Sequence, residues 1–187
     1  GTLTLAADGS WDYLANSAFD SLNTGDSVSD TFNVTSVDGT PSTVQVTING
    51  TDDAATVSSA TVALDETDAA LTASGTLTST DVDNADNTFT AATIVGTNGT
   101  LTLAADGSWD YLANSAFDSL NSGDSVSDTF NVSSVDGTAS TVQITIDGSN
   151  DAAVVSSASQ TLTETDVALT ASGTLTSTDV DNPDNTL

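Results

Sequence analysis

Five residue types that carry much of protein chemistry are missing from this chain. Among its 187 residues there is no Lys, Arg, His, Cys or Met. Without Lys or Arg nothing can neutralise phosphate, which excludes nucleic-acid binding and adhesion to anionic lipid. Side-chain salt bridges are impossible, and no salt bridge is expected anywhere. Disulfides and Cys/His zinc sites are excluded, and so are isopeptide crosslinks, which need a Lys amine. No apolar run approaches the roughly 18 residues of a membrane span, so no membrane insertion is expected. Proline is down to 2 residues and aromatics to 5%.

What is present is acid and small β-formers. The 27 Asp plus Glu leave a formal charge of −27, while 37% of residues are hydrophobic. Ser and Thr supply 26 and 34 residues, and Val, Ile, Leu and Thr recur in alternation. A disordered acidic tail is poor in β-branched and aromatic residues. This composition predicts folded β-structure under an acidic surface.

The chain repeats itself. GTLTLAADGSWDYLANSAFDSLN opens at Gly1 and again at Gly99, an offset of 99 − 1 = 98. Between residues 1–89 and 99–187 the copies differ at 15 positions. That period is too long for a solenoid repeat and suits an Ig-like sandwich of about 100 residues. Polar punctuation follows a strongly alternating stretch at 49–53 and at 147–151. The expected organisation is therefore the C-terminal part of one repeat over 1–52, a complete repeat over 53–151, and the N-terminal part of a third over 152–187. The fragment reads as a window on a longer array.

Seven strands are expected in the complete repeat, over 55–64, 71–79, 89–95, 100–104, 108–112, 125–132 and 141–146. Ala105-Asp106-Gly107 should make a tight hairpin. Residues 114–120 should form one helical turn capped by Asn114. Leu101, Leu103, Trp109, Tyr111, Phe117, Leu120, Phe130, Val132, Val142, Ile144 and Ile146 should line the core. The expected fold class is all-β: tandem Ig-like sandwiches of about 98 residues.

The acids are unevenly placed. Asp outnumbers Glu 25 to 2, and the two Glu, Glu66 and Glu164, sit one period apart. Duplication alone would copy an arbitrary Glu; a bidentate ligand needing one more methylene is the sharper reading. Three clusters recur: Asp81, Asp83 and Asp86 with Asp179, Asp181 and Asp184; Glu66 and Asp68 with Glu164 and Asp166; and the linkers Asp52-Asp53 and Asn150-Asp151. Close carboxylates without cations repel unless a metal neutralises them. Oxygen ligands with no His or Cys select Ca2+, although no EF-hand loop is present. Strand alternation places Glu66, Asn150 and Asp151 beside Asp179 and Asp181 at one junction, and Asp53, Asp81 and Asp83 at the preceding one.

Gly-Thr-Leu-Thr-Leu-x-x-Asp-Gly-Ser-Trp-x-Tyr, Gly-Asp-Ser-x-x-Asp-x-Phe-x-Val and Val-x-Ile-Thr-Ile-x-Gly-x-Asn-Asp-Ala together resemble the VCBS-type repeats of giant RTX-type bacterial adhesins. That resemblance implies cadherin-like Ig folds with calcium at their junctions, type I secretion, and an extracellular location on biofilm-forming bacteria. The expected function is a calcium-stiffened extender of a long adhesin or matrix fibre, partnered by neighbouring repeats. The alternative is a filament subunit joined head to tail by strand complementation through homotypic contacts. Thr-x-Thr at Thr2-Leu3-Thr4 and Thr76-Leu77-Thr78 leaves an ice- or carbohydrate-binding surface open. An enzyme is not expected, since no His, Lys or Cys exists to act as base or nucleophile.

Overall fold

The computed structural model describes residues 1–84, 87–182 and 187. Its regular structure is all β. Residues 1–49 carry β1 (Thr2–Leu5), β2 (Trp11–Leu14), β3 (Ser27–Thr35) and β4 (Pro41–Asn49). Next come β5 (Thr56–Val57), β6 (Ala60–Asp65), β7 (Thr72–Thr76), β8 (Ser79–Thr80) and β9 (Ala92–Val95). The central repeat finishes with β10 (Gly99–Leu103), β11 (Ser108–Ala113), β12 (Ser125–Ser133) and β13 (Ala139–Asp147). Two short strands follow, β14 (Val154–Val155) and β15 (Ser177–Thr178).

The central repeat is an Ig-like sandwich of two sheets, ordered β7-β11-β10-β9 and β12-β13-β6. Most neighbours pair antiparallel, but β6 runs parallel to β13, with Val62 opposite Ile144 and Asp65 opposite Asp147. Inward positions of both sheets meet in one core of Leu77, Phe89, Leu101, Leu103, Trp109, Tyr111, Phe130, Val132, Val142, Ile144 and Ile146. Phe117 and Leu120 pack against its edge, half-buried. Such alternation of buried and solvated positions is what a two-layer sandwich imposes.

The first two expected strands are each split. The first becomes β5, paired with β8, and then β6, paired with β13, so the chain crosses between sheets. The second becomes β7 and β8. Phe89 ties the start of the third to the opposite sheet by an isolated bridge to Ser134, before β9 joins β10.

The hairpin at 105–107 forms as expected. Gly107 N–H donates to Ala104 O and Ala104 N–H to Ser108 O, a type I turn closed by a left-handed glycine (φ +85°). A Cβ there would lie 2.3 Å from Leu77 O, so glycine is required twice over.

The expected helical turn at 114–120 does not form. Asn114 is tied sideways instead, its Nδ2 donating to Thr97 O and its N–H to Asn98 O. Phe117 then takes φ 67°, incompatible with a right-handed helix.

Strand pairings of 1–49 repeat those of 99–147 shifted by 98: Ser27 opposite Asn49 matches Ser125 opposite Asp147. Residues 158–176 form no strand, although their counterparts 60–78 include β6 and β7. A strand needs a ladder partner, and β6 and β7 have theirs in β13 and β11.

Candidate metal centres at the repeat junctions

Because β6 and β13 run parallel, both end at the same end of the sandwich. Glu66, one residue beyond β6, is thereby delivered to the linker after β13. Its N–H donates to Asp147 O. Its Oε2 accepts from Ser149 N–H and Oγ–H, each at 3.0 Å. The side chain is buried and Oε1 has no protein partner. The loop after β11 brings a further acid: Asp118 follows the positive-φ Phe117, and its Oδ1 is also buried and unpartnered.

From the far side, Asp151 N–H donates to Asp181 Oδ2 at 3.1 Å, and Asn121 Nδ2 donates to Asp181 O at 2.5 Å. Burial first, then the charges of Glu66, Asp68, Asp181 and Asp118, push the Asp151 carboxyl above the ordinary carboxylate range. The hydrogen bond shared by Asp179 and Asp181 raises Asp179 and lowers Asp181, and Asp181 is lowered further by the Asp151 N–H. Four segments of chain thus bring carboxylates to one place with no cationic side chain.

The first junction repeats the pattern. Asp53 N–H donates to Asp83 Oδ2 at 2.9 Å, and Asn23 Nδ2 to Asp83 O at 3.5 Å. Asp81 Oδ1 accepts from the N–H groups of Asp83 and Asn84, folding the loop around itself. Asp83 Oδ1 is buried without a partner. Asp20, the counterpart of Asp118, and Asp53 line a cavity of about 120 Å³ there.

Residues 52–148 match the family model of the bacterial cadherin-like domain, just over half of the chain. The chain belongs to the bacterial cadherin-like domain family. No curated protein matches it. An extracellular adhesive or structural role is consistent with that membership.

Other sequence-predicted site residues of this cadherin-like chain stand apart. Asp52 is exposed, and so is Asn150, whose Nδ2 donates to Asp151 O. Asp68 is exposed yet close enough for its charge to act on Asp151. Glu164 and Asp166 lie exposed on the stretch that forms no strand. Asp86 and Asp184 fall outside the described residues. Among the described residues no three acids are arranged to hold an ion as they stand; an ion would have to draw them in. The residues nonetheless suit Ca2+: every donor is oxygen, and Glu66, Asp83, Asp118, Asp151 and Asp181 each keep a buried carboxylate oxygen without a hydrogen bond.

The expectation of no salt bridge fails at one place. The α-amino group of Gly1 pairs with Asp30 at 2.5 Å, a cation that side-chain composition does not count.

Two acids of the cadherin-like fold serve structure. Asp128 is buried and accepts N–H bonds from Thr97, Asn98 and Gly99, fixing the β9–β10 turn. Asp136 accepts from Ala55 N–H at 2.8 Å, Thr138 Oγ1 at 2.7 Å and Ser134 Oγ, stapling the entry of the repeat to the β12–β13 turn. The Ala55 N–H first, then the Ser134 and Thr138 hydroxyls, hold its carboxyl far below its ordinary value of 3.8. A folded pKa below the unfolded one contributes stability above that ordinary value, lost as pH falls through the folded one. Asp136→Ala should therefore melt several degrees lower than the parent at neutral pH, with the gap closing in strong acid. Equal melting at neutral pH would remove Asp136 from the fold's supports.

Proposed function

We propose that this chain is a calcium-stiffened extender of a long extracellular bacterial adhesin or matrix fibre, related to the VCBS-type repeats of RTX adhesins. In this reading it is exported by type I secretion, lies at the cell surface of a biofilm-forming bacterium, and has neighbouring repeats as its partners. It carries no catalytic role and no affinity for nucleic acid. The observation that carries the reading is the gathering of Glu66, Asp118, Asp151 and Asp181 between one repeat and the next, with the same Asp53–Asp83 bond 98 residues earlier.

With no compensating side-chain cation, those carboxylates repel and bend neighbours apart. Sodium screens exposed charge over about 8–10 Å at physiological ionic strength, but it does not bridge oxygens from separate segments as a divalent ion does. Calcium bound there supplies positive charge that holds the linker against both repeats. Glu66 and Asp118 then belong to the first body, Asp181 to the second, and Asp151 to the hinge between them.

Small-angle scattering of the whole chain, with calcium and with chelator, tests this. The expected result is a longer, narrower distance distribution in calcium. Asp179→Asn with Asp181→Asn should loosen the second junction alone. Identical profiles in both conditions would leave only a plain acidic spacer.

A further inference from the structure

An open trough of about 510 Å³ lies on the outer face of the four-stranded sheet of the central repeat. It runs over β11, with β7 on one side and β10 on the other. Strand alternation sends Trp109, Tyr111 and Ala113 into the core and leaves Asp110 and Leu112 outside. The register then fixes their neighbours. Asp110 stands between Ser74 and Thr102, and Leu112 between Thr72 and Thr100. Four hydroxyl groups therefore frame one carboxylate and one apolar side chain. Two strand spacings make that frame about 10 Å wide, and two residues of rise make it about 7 Å long. The volume falls within the roughly 300–1,000 Å³ of small-molecule clefts.

Asp110 differs from the other acids carried on strands of the central repeat. Asp128 faces inward and is spent on the N–H groups of Thr97, Asn98 and Gly99. Asp65 and Asp147 close their strands side by side. Asp110 projects outward from mid-strand, and among the described residues nothing bonds to its carboxylate. Beside it Leu112, 56% exposed, adds an apolar floor. Thr100 and Thr102 are the second copy of the Thr-x-Thr pattern of Thr2-Leu3-Thr4, and the trough gives that pattern a carboxylate to work with.

We propose that this trough binds an amino sugar with a free amine, as in a glucosamine chain. The ammonium group of one ring sits on Asp110, and its hydroxyls exchange hydrogen bonds with Ser74 and Thr102. The apolar face of the next ring packs on Leu112, between Thr72 and Thr100. Charge selects this class of ligand. The chain carries −27 with no cationic side chain, so acidic sugars are repelled. A cationic sugar instead gains a charge-assisted hydrogen bond at Asp110. A cationic peptide would also meet the acid, but a Lys side chain has donors only and leaves the four hydroxyls unmatched. The lining includes none of the junction acids, so this inference requires no calcium and stands apart from the extender reading.

The test is isothermal titration of the full chain at about pH 6, where carboxylates are ionised and amines protonated. Physiological salt screens exposed charge over about 8–10 Å and so suppresses bulk attraction. The probes are the β-1,4-linked glucosamine trimer, its fully N-acetylated form and trilysine. The glucosamine trimer should bind, and the other two should bind several-fold more weakly. Asp110→Asn should weaken the glucosamine trimer about tenfold or more, the effect of losing one charge-assisted bond. Asp65→Asn removes the same charge from the outer face of the opposite sheet and should leave binding unchanged. Ser74→Ala with Thr102→Val keeps the charge and should weaken binding several-fold. All four side chains are exposed, so these variants keep the fold. No binding, equal binding of trilysine or of the acetylated trimer, or binding indifferent to Asp110→Asn would overturn the proposal.

Discussion

Replacing Trp109 by Ala should cost the central sandwich about 3–5 kcal/mol. The indole sits mid-sheet on β11, between Leu103 of β10 and Gly75 of β7. It lies so close over Gly75 that a Cβ there would stand 2.6 Å from the ring. Its N–H has no protein partner, so the ring is held by packing alone. An aromatic of this size buries about 150–250 Å², and the space it leaves is walled by a sheet that cannot collapse around it. Against a typical domain stability of about 5–15 kcal/mol, that loss takes the repeat close to unfolding. The same substitution at Trp11, half exposed, should cost a small fraction of this. Urea unfolding followed by far-UV circular dichroism reads both variants. A cost below about 1 kcal/mol at Trp109 would put the ring outside the core.

The core was legible because alternation and repetition both pointed to it. Leu101, Leu103, Trp109 and Tyr111 alternate along two strands joined by an Asp-Gly turn, and each recurs 98 residues away. Pairing was less legible. The pattern of Ala60–Asp65 marks a half-buried strand, but alternation does not tell which sheet receives it: residues 56–57 pair with β8 and residues 60–65 with β13. Asp128 carries a signal of its own in the sequence. It shares the inward face of β12 with Val126, Phe130 and Val132, so an acid at that register must find donors inside. The N–H groups of Thr97, Asn98 and Gly99 supply them.

The candidate site was half visible. Paired Asp-x-Asp spacing and the two Glu at one repeat position drew attention to Glu66, Asp83, Asp151 and Asp181, and the structure gathers these at two junctions. Asp118 was not visible. It is a lone acid in a serine-rich loop, and what aims it is the left-handed conformation of Phe117, which no residue type announces. The same φ at Phe19 beside Asp20 makes this a feature of the repeat. Strain of that kind persists where surrounding contacts over-determine it; here the half-buried ring is anchored at the core's edge. Ser149, the donor to Glu66, is equally anonymous in sequence. It becomes a partner only because parallel β6 and β13 end together.

Calcium should stabilise the chain by about 2.7 kcal/mol per site once free ion reaches about 100 times the dissociation constant. Extracellular modules of this chemistry bind at about 10⁻⁴–10⁻³ M, so millimolar calcium against chelator is the informative comparison. Asp151 gives the experiment its sign. Burial and the charges of Glu66, Asp68, Asp181 and Asp118 raise its folded pKa. Between the unfolded and folded pKa values the folded chain holds more protons, so this group's contribution to stability falls as pH rises through that window and is most unfavourable near neutrality. A bound cation relieves at neutral pH what a proton relieves in acid. Asp151→Asn should therefore melt higher than the parent in chelator, because it removes a crowded charge, and should lose the calcium increment at the second junction. Asp118→Asn and Glu66→Gln should also lose that increment. Asp136→Ala melts lower but should keep it, since Asp136 is spent on Ala55, Ser134 and Thr138. In the parent the increment should shrink on acidification, as protons compete for the same oxygens. Thermal melts of these variants with calcium and with chelator decide the matter. An Asp151→Asn chain that gains as much from calcium as the parent would leave the gathered carboxylates without their ion.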